Sequence, residues 1–116
     1  MDCLFCNIIS GKIPSKKVFE NEHVFAFEDI NPQSPVHILV VPKQHVANIG
    51  ELDGSNIRIM GDLFIAVKEI STAMGLSENG YRIIINNGKA AGQVIWHLHI
   101  HILGGTSDLG PMLCMK

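Results

Sequence analysis

The chain reads as an α+β fold, with a five-stranded antiparallel sheet, one long helix and a short N-terminal helix. Two observations predict it. Residues 55 to 74 carry apolar side chains at helical spacing, whereas the flanking segments are short apolar or alternating runs bounded by turn residues. The elements also run strand, strand, strand, helix, strand, strand, which leaves too few helices to cover a doubly wound parallel sheet.

Each element has its own local reason. Residues 4 to 10 form a short apolar segment closed by Gly11 and Pro14, fitting one or two helical turns. In "KKVFENEHVFAFEDI" (16–30), Val18 and Phe19 lead into the polar Glu20–Asn21–Glu22 turn, and Val24 to Phe27 return as a second strand. "NPQSP" is a loop, and "VHILVVP" (36–42) has the continuous apolar character of a buried strand that Pro42 ends. In the long helix Ile59, Met60, Leu63, Phe64, Val67, Ile70 and Met74 fall on one side, with Asp53 or Ser55 as cap and Gly75 as the left-handed stop. "YRIIIN" (81–86) and "VIWHLHIHIL" (94–103) supply the last two strands, joined by "NGKAAGQ". There is no internal repeat or linker, so residues 1–116 are expected to form a single domain with a tail from about 106.

Composition narrows the function classes. With 47% hydrophobic and 17% charged residues the chain is too apolar for disorder. Nine basic against eleven acidic residues leave no nucleic-acid footprint, though a small phosphate-bearing ligand suits a locally cationic site. The N-terminal "MDCLFCNIISG" lacks a cationic lead, and no apolar run reaches the roughly 18 residues of a membrane span. Cys3, Cys6 and Cys114 do not suggest a disulfide framework. The expectation is a cytoplasmic protein with no membrane or nucleic-acid partner.

The chemistry concentrates in "IWHLHIHILGG" (95–105), where His97, His99 and His101 occupy alternate positions. On a strand they share one face, while Trp96, Leu98, Ile100 and Ile102 take the other and anchor the segment in the core. Such a row suits either a metal or an anion. Histidines two apart on a strand can share a tetrahedral zinc. A neutral imidazole is also a good nucleophile at phosphorus, with neighbours able to move protons near neutral pH. The preceding Gly-rich "NNGKAAGQ" favours phosphate, because such a loop presents backbone N–H groups to an oxyanion. Cys3-x-x-Cys6 leaves a redox pair, two buried thiols or half of a Cys₂His₂ site open.

The segment His97-Leu98-His99-Ile100-His101-Ile102-Leu103 resembles the signature of the histidine triad (HIT) family. "IISGKIPS", "VFENEHVFAFEDINPQSPVHILVVPKQH", "GYRIIINNG" and "AGQ" extend the resemblance, toward the Hint-type nucleoside phosphoramidase branch, over nearly residues 3 to 105. It implies a HIT-like fold, a symmetric homodimer and an activity. A purine nucleoside 5′-phosphoramidate or related conjugate would be cleaved through a covalent nucleotidyl-histidine, releasing the nucleoside monophosphate.

By this resemblance His99 is the nucleophile, His101 serves the reacting phosphate and the leaving group, and His37 is a fourth family histidine beside them. Asn86 and the Gly92–Gln93–Val94 turn match polar groups and backbone donors around the phosphate. Asp29 matches the carboxylate for the ribose hydroxyls, and Leu4, Phe5, Ile8, Ile13, Phe27 and Ile30 match the apolar slot for the base. Zinc-bearing bacterial relatives imply that Cys3, Cys6, His45 and His97 hold a structural, non-catalytic zinc. Two departures stand out. Val94 replaces a hydroxyl residue and offers only its backbone N–H, and the tail "TSDLGPMLCMK" lacks the His-Trp-Pro ending of some relatives. A dinucleoside polyphosphate hydrolase, a nucleotide-binding sensor or scaffold, and a metal-dependent hydrolase are the alternative functions.

Overall fold

The computed structural model describes residues 3–113; Cys114 lies outside the described residues. The elements are α1 (Leu4–Ile9), β1 (Lys17–Glu20), β2 (Val24–Glu28), β3 (Val36–Pro42), α2 (Arg58–Ala73), β4 (Arg82–Ile84) and β5 (Ile100–Gly104). One-turn 3-10 helices lie at Ile49–Glu51 and Lys89–Ala91. The strands form the one five-stranded antiparallel sheet that the sequence predicts, and its spatial order is β1-β2-β3-β5-β4. Among the described residues no helix is long and apolar enough to cross a membrane.

The sheet is a middle layer because β2 and β3 are apolar on both faces. Val24, Ala26, Ile38 and Val40 point toward α2 and pack with Leu63, Val67, Ile70, Leu98, Ile100 and Ile102. The alternate residues Phe25, Phe27, Leu39 and Val41 point the other way and pack beneath Phe5 and Ile8 of α1. Fully buried side chains such as Leu63, Ile38 and Ile102 contribute about 1.5–3 kcal/mol each relative to exposure. The register then positions chemistry: Leu39 pairs with His101 and His37 with Leu103, so His37 and His101 are diagonal neighbours on the α1 face.

The expected elements are all present, with shifted limits. The last strand does not start at residue 94; pairing begins only at Ile100. Before it, the chain bends through residues 95–97 and Leu98 N–H donates to the Val46 carbonyl at 2.7 Å, a contact outside the ladder. β4 is confined to Arg82–Ile84. The long helix begins at Arg58 without a side-chain cap, because Asp53 accepts from Ser55 N–H at 2.8 Å and closes a separate turn before it. Phe64 and Met74, grouped with the core stripe by spacing, are exposed. Gly75 ends the helix with φ +74, as expected. Gly105 also needs glycine, since its φ is +83 and a Cβ would approach Val36 Cγ2 to 2.9 Å.

Candidate functional site

Alternation survives the late start of β5. Leu98, Ile100 and Ile102 face α2, while His97 and His99 face Phe5 of α1, whose ring meets theirs edge-on at 5.9 and 5.2 Å between centroids. His101 stands 5.0 Å from the His99 ring. Trp96 departs from the expected back face and is half exposed, because the bend at 95–97 turns it away from the core. Phe27 supports Phe5 in turn, with centroids 5.5 Å apart. The aromatic layer thus holds two of the three imidazoles in a dry, packed setting.

Hydrogen bonds assign a proton to one nitrogen of each ring. A carbonyl only accepts, so His97 Nε2–H donates to Pro42 O at 2.8 Å, leaving the Nδ1 lone pair free. His99 Nδ1–H donates to the carbonyl of His97 at 2.7 Å, leaving Nε2 unprotonated. The backbone N–H of Gln33 donates to His37 Nδ1 at 3.0 Å, so the His37 proton resides on Nε2. That Nε2–H faces His101 Nδ1 at 3.0 Å and Asp29 Oδ2 at 3.4 Å. His101 Nδ1 is therefore an acceptor, and His101 carries its proton on Nε2. A bare lone pair on His99 and an N–H on His101 thus belong to neighbouring rings, whose centroids are 5.0 Å apart.

Charge follows burial. Burial lowers the proton affinity of His97 and His99 below the ordinary histidine range. His101 is lowered to about 4, first by burial and then by His99 and His37, with Asp29 acting weakly against them. All three rings are neutral near neutral pH, as a nucleophile and a hydrogen-bond donor require.

The freed Nδ1 of His97 points into a second cluster. It lies 3.3 Å from Cys3 Sγ, 3.6 Å from Cys6 Sγ and 3.1 Å from His45 Nδ1. Cys6 Sγ is 3.4 Å from His45 Nδ1, and all four donor atoms fall within 4.8 Å of one another. Zinc–sulfur bonds of about 2.3 Å and zinc–nitrogen bonds of about 2.0–2.1 Å give a tetrahedron with edges of about 3.3–3.8 Å, close to these spacings. Cys3 caps α1, accepting from Cys6 N–H at 3.4 Å, so the Cys-x-x-Cys spacing is one helical turn that brings both sulfurs to the ring. Burial and the neighbouring Cys3 raise the Cys6 thiol, and a cation would relieve that cost. The donor set can hold a metal ion.

Asp29, His37 and His101 form another compact cluster. There the Gln33 N–H holds the proton of His37 on the nitrogen that faces the cluster, so a metal would have to displace it and leave an imidazolate. This cluster suits proton handling.

The remaining sequence-nominated residues divide. Phe5, Ile8 and Phe27 are buried in the core, Ile13 packs partly buried against them, and Leu4 and Ile30 are exposed. Asp29 Oδ1 accepts from Asn31 N–H at 2.8 Å and so holds the "NPQSP" loop. Beside it a cleft of about 540 Å³ is lined by Pro14, Lys16, Glu28, Asp29, Ile30 and Pro32, among others. Asn86 is partly buried. The turn at 92–94 differs from expectation, because Gly92 N–H donates to Lys89 O and Gln93 N–H to Gly88 O. The 3-10 turn consumes the first donor, and a wider bond across five residues, closing around that turn, consumes the second. Val94 N–H has no partner among the described residues. Sequence reasoning missed Pro42 and Gln33, which act through backbone atoms that carry no residue signal.

A pH test follows from His101. An unfolded histidine takes up its proton near about pH 6.5, whereas folded His101 resists until about 4. The unfolded chain therefore binds more protons between these values. This stability is full above about pH 6.5 and lost as pH falls through about 4. In thermal melts followed by circular dichroism, His101→Gln is expected to flatten the fall of Tm between about pH 7 and about pH 4. An unchanged slope would contradict the assignment.

Comparison with known proteins agrees with this geometry. The family model for the HIT domain matches residues 10–108. A solved structure of a HIT family hydrolase from Clostridium thermocellum is 46% identical, with a TM-score of 0.92 and 97% of each chain covered. A histidine triad protein from Clostridium difficile is 41% identical, with a TM-score of 0.93 and the same coverage. The Escherichia coli K12 protein named purine nucleoside phosphoramidase is 36% identical over 115 residues, covering 99% of this chain and 96% of that one. With a family model matched across most of its length and relatives covered almost end to end, the chain belongs to the HIT domain family.

Proposed function

We propose that this protein is a purine nucleotide-binding hydrolase. It transfers a nucleotidyl group from a nucleoside 5′-phosphoramidate, or a related conjugate, to His99 and then to water. The observation that carries this activity is the pairing of an unprotonated His99 Nε2 with the Nε2–H of His101, both set by hydrogen bonds at their other nitrogens. The name of the Escherichia coli relative supports the phosphoramidate class.

The steps follow from these protons. His99 Nε2 attacks phosphorus, and because Nδ1 keeps its proton the nucleotidyl-imidazole is cationic. The P–N bond to the leaving group breaks with its electron pair on nitrogen, which takes the His101 Nε2 proton. The adjacent cation on His99 offsets the charge this leaves on His101. Water then attacks phosphorus and returns a proton to His101 as the P–Nε2 bond breaks, releasing the nucleoside monophosphate. Val94 N–H and the Asn86 side chain stabilise the phosphoryl oxygens, the Asp29 carboxylate accepts from the ribose, and Leu4, Ile13 and Ile30 supply apolar surface for the base. His99→Asn is expected to abolish turnover of a nucleoside phosphoramidate, a loss of at least about 10³-fold, while calorimetry still detects nucleoside monophosphate binding. Normal turnover by this variant would refute the nucleophile assignment.

We assign zinc to Cys3, Cys6, His45 and His97 in a structural role, since four protein ligands leave no open position for activating water. When bound, the ion would tie α1 to the segment whose His97 carbonyl orients His99. Protein purified without chelator is expected to carry about one zinc per chain by elemental analysis, and Cys6→Ser to lose it with a lower Tm. Metal-free wild-type protein of the same stability would contradict this assignment. A homodimer fits the exposed Phe64 and Ile65 of α2 and Ile83 of the edge strand β4.

A further inference from the structure

The buried side chain of Gln93 makes no hydrogen bond to either histidine of the proposed reaction, yet all of its hydrogen-bonding groups have partners. It is only 6% exposed. Its Oε1 accepts from Gly88 N–H at 2.9 Å and from Asn48 Nδ2–H at 3.1 Å. Its Nε2 donates to Ala47 O at 2.7 Å and to Ile95 O at 3.0 Å. Two acceptor sites and two donors exhaust a primary amide, so nothing remains on this side chain for a ligand.

The geometry of these four bonds has a purpose that the amide's own chemistry does not supply. Gly88 begins the Gly-rich turn, and Ile95 ends it. One amide joins both ends and anchors them to Ala47–Asn48, immediately beyond the candidate metal ligand His45. Between the joined ends stands Val94, whose N–H is without a partner among the described residues, while the N–H groups of Gly92 and Gln93 are engaged inside the turn. Val46, in the same anchoring segment, accepts from Leu98 N–H at 2.7 Å, between His97 and His99. The donor turn and the nucleophile segment therefore hang from one short strip, residues 46–48.

We propose that Gln93 is a positioning residue that aims the Val94 N–H at the phosphoryl group without touching substrate itself. The assignment rests on the nucleotidyl transfer proposed above. It gives the Gln93 side chain an indirect role in a turn that the family resemblance places around the phosphate. Asn48, outside every residue nominated from sequence, acts in the same device through its bond to the Gln93 oxygen.

The test compares wild type, Gln93→Met, Asn48→Ala and the double variant. Titrations use adenosine and guanosine with their 5′-monophosphates, alongside zinc content and turnover of a nucleoside phosphoramidate. Gln93→Met is expected to keep its metal and its nucleoside affinity, to bind the monophosphates about tenfold more weakly, and to lose on the order of 10²-fold in kcat. Asn48→Ala should show a smaller loss of the same kind, and the double variant should be no worse than Gln93→Met. Unchanged monophosphate affinity and kcat in Gln93→Met would overturn the proposal. So would losses that multiply in the double variant, since a side chain acting directly on substrate would not depend on Asn48. Loss of zinc together with nucleoside affinity in both single variants would show a merely structural role and also overturn it. If Gln93→Met does not fold, Asn48→Ala decides alone, by whether monophosphate affinity falls while nucleoside affinity holds. Wild type that neither binds the monophosphates nor turns over the phosphoramidate would instead refute the underlying activity.

Discussion

The hydrogen bond from His97 Nε2–H to the carbonyl of Pro42 organises more of this molecule than any other single contact. It joins the end of β3 to the segment entering β5, and it does so through a fully buried ring. By holding the proton on Nε2 it leaves Nδ1 as a lone pair among Cys3, Cys6 and His45. The same residue offers its backbone carbonyl to His99 Nδ1–H, and that second bond makes His99 Nε2 a base. One residue thus faces the candidate metal centre with its side chain and the candidate nucleophile with its main chain. The two chemistries are neighbours because they share a residue, with no need for a shared ion.

The second imidazole pair is built by the same means from the other side. Gln33 N–H, in the loop that Asp29 holds, fixes His37, and His37 in turn fixes His101. The two chains of bonds converge from β3 and its flanking loop onto adjacent side chains. The protons of His97, His99 and His37 are each determined by a main-chain group that can only donate or only accept, and His37 passes that choice on to His101. Neutral rings in a buried setting need such partners, because a wrong tautomer there would leave a polar atom unsatisfied.

Much of this was legible in the residues. The period-2 row of histidines predicted one face, and the helical period of 55–74 predicted the layer that buries the opposite face. Family resemblance singled out Cys3, Cys6, His45 and His97, which fold into one cluster although 94 positions separate Cys3 from His97. What escaped was whatever depends on backbone direction. Spacing alone extended β5 back to residue 94, since a bent segment with alternating burial looks the same in sequence as a strand. Asp53 looked like a helix cap but closes the turn before the helix, a choice set by local competition for its carboxylate. Gly92 and Gln93 looked like anion donors, yet tight turning engages their N–H groups internally. Gln93 looked like a ligand contact, and only the three-dimensional count of its partners shows a fully engaged amide.

The dictation of ring protons by main-chain partners, directly at His97, His99 and His37 and through His37 at His101, is open to one direct measurement. Long-range proton–nitrogen correlation spectra of nitrogen-15-labelled protein at neutral pH distinguish protonated from bare ring nitrogens. The hydrogen bonds predict the proton on Nδ1 for His99 and on Nε2 for His37, His97 and His101. A His99 ring carrying its proton on Nε2 would contradict this, because the lone pair of the proposed nucleophile would then face the His97 carbonyl.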